Sequence, residues 1–164
     1  MADANWYVLN ARECPWVEGD KTGLVVGFED EENNPFPQLG INVRILQPGQ
    51  AIGMYHFESG QEDFLVLDGE GLAIVEGAER LLKKWDLLHC GPGVAHMIKA
   101  TGERPLLLVC AGARTGEPRN GTTYVVDEVA RKHGVSVEED TTDNRAVYAD
   151  HSFEWVDYEE GWLP

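Results

Sequence analysis

Glycine and proline turns cut the first two thirds of this 164-residue chain into short apolar runs, each about one strand long. The runs are Trp6–Leu9, Gly23–Phe28, Ile41–Leu46, Ala51–His56, Phe64–Leu67, Leu72–Val75, Arg80–Lys83, Asp86–Cys90, Ala95–Ala100 and Leu106–Ala111. Between them stand Pro48-Gly49, Ser59-Gly60, Asp68-Gly69-Glu70-Gly71, Glu76-Gly77, Pro92-Gly93 and Thr101-Gly102, whose residues suit tight turns. Strands recurring every eight to twelve residues or so predict an all-β sandwich or barrel. Closing such a sheet on itself also removes exposed edges.

Helical periodicity is absent before about residue 126. Asp127–His133 is the one predicted helix, with Asp127 placed to cap its start and Gly134 to end it. The segment after it is acidic but carries Tyr148, Phe153, Trp155, Tyr158 and Trp162. So many aromatic rings predict packing, either on the barrel or on a second subunit, and a homodimer is expected. The organisation expected is one domain over residues 1–164, with a barrel core at about 22–112 and a C-terminal extension at about 113–164.

The formal net charge of −16 bears on partners more than on fold. Nucleic acid and anionic membrane surfaces both require clustered Lys and Arg, and neither is expected as a partner. The three cysteines, Cys14, Cys90 and Cys110, lack the paired spacing of a metal knuckle. They fit free thiols in a reduced compartment, so a cytoplasmic location is expected. The start of the chain does not read as a signal peptide, and no apolar run approaches a membrane span.

Polar residues with coordination chemistry gather in two places. The first is Tyr55-His56-Phe57-Glu58, followed by Glu62; the second is His96, after Gly91-Pro92-Gly93. With Pro48-Gly49 before and Asp68-Gly69-Glu70-Gly71 after, the first resembles one sequence motif of the cupin superfamily. Asp86 followed by Gly91-Pro92-Gly93-Val94-Ala95-His96 resembles the other. The first motif runs Gly, five residues, His-x-His, three or four residues, Glu, six residues, Gly. The second runs Gly, five residues, Pro-x-Gly, two residues, His, three residues, Asn. The resemblance covers roughly residues 40–111 and implies a jelly-roll, double-stranded β-helix barrel with a short C-terminal helix. The chain departs from the pattern in the second motif. Asp86 stands at the first glycine, Pro92 comes one place late, and Ala100 stands at the asparagine.

The first motif poses a register problem. Counting from Gly49 without a gap puts Tyr55 and Phe57 on the two histidine positions. Side chains alternate along a strand, so His56 would then face away. One extra residue before His56, accommodated as a bulge at Gly53, instead brings His56 and Glu58 inward. The expected metal ligands become His56, Glu58, Glu62 and His96, with Glu58 as a ligand or a general base. Two imidazoles with one or two carboxylates suit Fe, Mn, Ni or Zn and leave positions open for a small-molecule ligand or substrate. The resemblance then implies a metal-dependent enzyme such as an oxygenase or isomerase. The gapless register supports a different class of protein, a metal-free binding or sensor module. Its pocket would be lined by Tyr55 and Phe57. Gln61 and His89 are further pocket candidates.

Other features carry less. His89 and Cys90 are adjacent, so at most one faces the interior. Nothing in the sequence lowers the Cys90 thiol pKa as a nucleophile requires. Asp68-Gly69-Glu70-Gly71 is a hairpin turn, since no Lys-Ser/Thr or helix follows as in a phosphate loop.

Overall fold

A computed structural model describes residues 6–29, 36–115 and 121–164. Twelve strands among these residues run β1 (Trp16–Gly19), β2 (Gly23–Gly27), β3 (Leu39–Leu46), β4 (His56–Phe57), β5 (Glu62–Asp68), β6 (Glu70–Val75), β7 (Ala78–Lys83), β8 (Leu87–Cys90), β9 (His96–Ala100), β10 (Leu106–Ala113), β11 (Thr123–Tyr124) and β12 (Phe153–Val156). They form two antiparallel sheets, one ordered β12-β1-β2-β3-β10-β5-β8 and the other β11-β4-β9-β6-β7. The architecture is all-β and of jelly-roll type. Two short helices follow β11: α1 (Glu128–Lys132) and α2 (Asn144–Val147).

Strand alternation sorts the apolar side chains into three groups. Leu46, Phe64, Val66, Ile98, Ala100, Leu106, Leu108 and Cys110 meet between the sheets. On the outer face of the smaller sheet, Tyr55, Ile74 and Met97 pack with Ala130 of α1 and with Val135. On the outer face of the larger sheet, Trp16, Leu24, Val26, Ile45 and Leu107 are covered by Tyr158, Trp162 and Leu163. Trp16 is fully buried and meets the Trp162 ring edge-on at 5.5 Å. Its indole N–H donates to the Ala11 carbonyl at 2.9 Å. Such a ring removes a large apolar area from water while its one polar atom keeps a partner. Part of the expected aromatic packing on the barrel is therefore intramolecular, although Trp155 remains 74% exposed.

α1 starts and stops for local reasons. Asp127 accepts from the Ala130 N–H at 2.7 Å, which satisfies a donor that the first turn leaves unpaired. Gly134 follows with φ of +74°, a left-handed conformation that ends a helix without a Cβ clash.

Two expectations about strands are corrected. Trp6–Leu9 is irregular and largely exposed, with Val8 at 87%. The position beside β2 is taken by Trp16–Gly19, which pairs with β2 on one side and β12 on the other. An apolar run without a partner gains nothing by extending. Ala51–His56 is not a continuous strand either; Ile52–Tyr55 form bends, and only His56–Phe57 rejoin the sheet. Residues 116–120, at the start of the expected extension, lie outside those described. No helix among the described residues is long and apolar enough to cross a membrane.

Candidate metal centre

The inner face of the two sheets is apolar at one end and polar at the other. On β9, Ile98 and Ala100 point into the core, so His96, two residues earlier, points the same way. On β5, Phe64 and Val66 are inward, and so is Glu62. On β3, Leu46 is inward, and Arg44 and Asn42 follow at alternate positions. One parity rule thus carries an imidazole, a carboxylate and a guanidinium to the same end of the interior.

The bends at Ile52–Tyr55 determine what β4 presents. Ala51 bridges to Lys99 and His56 pairs with His96, so the β4 side takes five steps where β9 takes three. Relative to β9, two extra residues are therefore accommodated, spread over the bends. Gly53 is needed for a different reason. A Cβ there would lie 2.7 Å from the Tyr148 hydroxyl, which accepts a hydrogen bond from the Met54 N–H at 3.1 Å. After the bends, His56 faces the interior and Tyr55 the outer core, where its hydroxyl accepts from the Gly77 N–H at 3.1 Å.

His56, Glu62 and His96 offer ligand atoms that all lie within 4.8 Å of one another. Glu62 Oε2 is 3.3 Å from His96 Nε2 and 3.8 Å from His56 Nε2. Each imidazole uses its Nδ1 toward a backbone carbonyl two residues earlier: His56 toward Met54 at 2.7 Å and His96 toward Val94 at 2.9 Å. With Nδ1–H donating there, each Nε2 is turned toward the shared carboxylate. This is how a metal-binding histidine is usually oriented by its other nitrogen.

Burial sharpens the point. Glu62 Oε2 and His96 Nε2 are buried and have no hydrogen-bond partner, since their 3.3 Å contact lacks hydrogen-bond geometry. Leaving such groups unmade costs about 1–3 kcal/mol each. A cation between them would satisfy both, so the donor set fits a divalent transition metal. The protons tell a related story. Burial and the neighbouring His96 ring push the His56 pKa below its ordinary value. Burial also opposes a charge on His96, but the Cys90 thiol and the Glu62 carboxylate outweigh it and hold His96 up at about 10.

The other residues singled out by sequence lie elsewhere. Glu58 is inward and lines the same cavity, where Oε1 accepts from the Thr122 hydroxyl at 3.0 Å. It is not grouped with the three ligand atoms. Tyr55, Phe57, Gln61 and His89 do not line the cavity. Phe57 alternates to the face opposite His56. Gln61 donates to Asp63 at 2.7 Å, and His89 pairs with Asp63 at 2.7 Å on the outer face of β5 and β8. Tyr55 and Phe57 therefore do not line this cavity.

The cavity measures about 520 Å³. Besides His56, Glu58 and Glu62, its wall includes Asn42, Arg44, Cys110, Thr122, Tyr124, Asn144, Tyr148 and Phe153. Burial holds the Cys110 thiol up at about 11, so it is neutral. The Tyr124 ring lies 5.7 Å from that of His56, and its hydroxyl donates to Asn144 Oδ1 at 2.6 Å. Sequence reasoning did not place these residues at the site, although it expected Tyr148 and Phe153 to pack on the barrel or on a second subunit. Only Asn42 and Arg44 left a signal, as polar side chains two apart inside an otherwise apolar strand. Thr122, Tyr124, Asn144, Tyr148 and Phe153 reach the wall from the extension, through tertiary packing that no local pattern encodes.

The model of the family described as "Cupin domain" matches residues 42–112, the stretch that supplies His56, Glu62 and His96. The chain carries a cupin domain. Among solved structures, a cupin 2 conserved barrel protein from Salinispora arenicola aligns with a TM-score of 0.51 at 13% identity, over 70% of this chain and 85% of that one. A protein from Acidithiobacillus ferrooxidans, named as a candidate sugar phosphate isomerase, aligns with a TM-score of 0.50 at 22% identity. That alignment covers 57% of this chain and 61% of the other. At these identities the likeness is one of fold. No curated protein matches the sequence significantly.

Proposed function

We propose that this cupin holds one divalent transition-metal ion on His56, Glu62 and His96 and uses it to bind and transform a small organic molecule in the adjoining cavity. The observation that carries this reading is the pair of buried, unpartnered ligand atoms, Glu62 Oε2 and His96 Nε2, facing each other beside a second imidazole. A metal-free sensor would have to keep that buried pair without a well-formed hydrogen bond between them.

Bound there, the ion would supply Lewis acidity and open coordination positions, the common requirement of isomerase and oxygenase chemistry. The chain supplies the rest. The carbonyls of Met54 and Val94 fix both imidazole tautomers. Glu58, on the same wall but apart from the ligand group, is placed to accept or return a proton of a bound molecule, and the Thr122 hydroxyl orients its carboxylate. Tyr124, Tyr148 and Phe153 restrict water on the extension side of the cavity.

The test is elemental analysis of protein purified without chelators, then supplied in turn with Fe, Mn, Ni and Zn. Wild type should carry about one ion per chain, and His56→Ala, Glu62→Ala and His96→Ala should each lose most of it. Wild-type protein that takes up none of the four metals would sink the proposal. Retention by His56→Ala alone would remove His56 from the ligand set.

A further inference from the structure

Arg44 has no part in the metal group, yet it stands on the wall of the same cavity. Its partners are neutral: Nη1 donates to the Ile52 carbonyl at 3.0 Å and Nε to Asn42 Oδ1 at 3.3 Å. Among the described residues Nη2 has no hydrogen-bond partner, and no carboxylate lies within ion-pair distance of the guanidinium. In a chain with 29 acidic and 13 basic residues, that isolation is unexpected for a half-buried cation. Arg44 is held rigidly at the cavity wall, with its charge left uncompensated.

The charge balance of the wall points the same way. Its charged residues are Arg44, Glu58 and Glu62. Two carboxylates against one guanidinium leave no net positive charge to hold an anion. A divalent ion on His56, Glu62 and His96 turns that into a single positive charge. The cavity then matches one monoanion, with the guanidinium and the ion both on its wall.

We propose that the ligand is a small monocarboxylic acid whose carboxylate pairs with Arg44 while a second polar group, such as a hydroxyl or carbonyl oxygen, reaches the ion. The volume of about 520 Å³ admits a compact organic acid and lies within the range of ordinary small-molecule sites. A planar guanidinium with one N–H edge still unpaired suits a carboxylate better than a phosphate dianion, which would exceed the single available charge. This inference rests on the metal reading, because without the ion the wall carries no net positive charge.

The experiment uses the full chain loaded with cobalt(II), whose visible spectrum reports ligands reaching the ion. It is titrated with 2-hydroxybutyrate, with its uncharged amide, and with inorganic phosphate. Cobalt content is measured on the same samples. The acid should bind and shift the spectrum, and the amide and phosphate should bind far more weakly. Arg44→Met should keep its cobalt and lose affinity for the acid by on the order of ten- to a hundredfold, the value of one charge-assisted pair. Arg44→Lys should recover part of it. Equal binding of acid and amide, tighter binding of phosphate, no binding of the acid, or an unchanged affinity in Arg44→Met would each overturn the proposal. If wild type takes up no cobalt, the metal reading fails by itself. The same titration, followed by thermal unfolding, then decides whether Arg44 alone selects the carboxylate.

Discussion

Loading the site with metal should displace one proton, and that proton should come from His96. In the metal-free protein His96 is held at about 10 and His56 below its ordinary value, so near pH 8 the pair carries one proton, on His96. A metal needs both Nε2 atoms unprotonated, so binding must expel it. Apparent metal affinity should therefore rise about tenfold, or about 1.4 kcal/mol, for each pH unit between about 7 and 10, and level off above that. The stability of the metal-free fold should move oppositely. His96 has a raised pKa, so the stability its proton contributes is complete below about 6.5 and is lost as pH rises through about 10. Calorimetric zinc titrations at pH 8, in buffers of different ionisation enthalpy, count the protons directly. About one proton per ion is expected. A heat independent of the buffer would refute the reasoning, because it would mean that His96 is already neutral. So would a proton count that stays the same in His96→Gln, because the proton would then come from another group.

Gly53→Ala should lower the melting temperature, because its Cβ meets the Tyr148 hydroxyl at 2.7 Å. Displacing that ring and its bond to Met54 should cost about 2–4 kcal/mol, and Tyr148→Phe in the same chain should cost less than the two single losses combined; strict additivity in a thermal-unfolding cycle would contradict the contact. In the folded protein, Cys90 and Cys110 are buried and Cys14 is half-buried, so a thiol reagent at neutral pH should label Cys14 first and the other two only on unfolding. Early labelling of Cys110, seen by mass spectrometry, would show that the cavity is more open than its lining implies.

The strands between residues 41 and 111 were readable because each apolar run is bounded by residues that turn. Glu62 and His96 were readable by their distance from the glycines around them. The face of His56 was harder, since it depends on how much chain the bends absorb. Ile52–Tyr55 take up two residues against β9, and nothing in those four side chains announces that number. Trp16–Gly19 and Phe153–Val156 escaped notice because they are four residues each and contain Glu18 and Glu154, so neither shows an apolar run. Trp6–Leu9 misled for the converse reason: its side chains favour a strand, but among the described residues no backbone pairs with it.

The pairing of β1 with β12 has a kinetic consequence. It joins Trp16–Gly19 to Phe153–Val156 across most of the chain, whereas the three ligand residues fall between 56 and 96. Loop closure over so long a span is slow relative to hairpins such as β6–β7. The ligand cluster is therefore expected to assemble while the wall contributed by Asn144, Tyr148 and Phe153 is still missing. An ion meeting the chain at that stage would find an open site, which the late-closing extension would then seal. Exchange of metal from the finished protein should accordingly be governed by the opening of the C-terminal segment rather than by the strength of the coordination bonds alone.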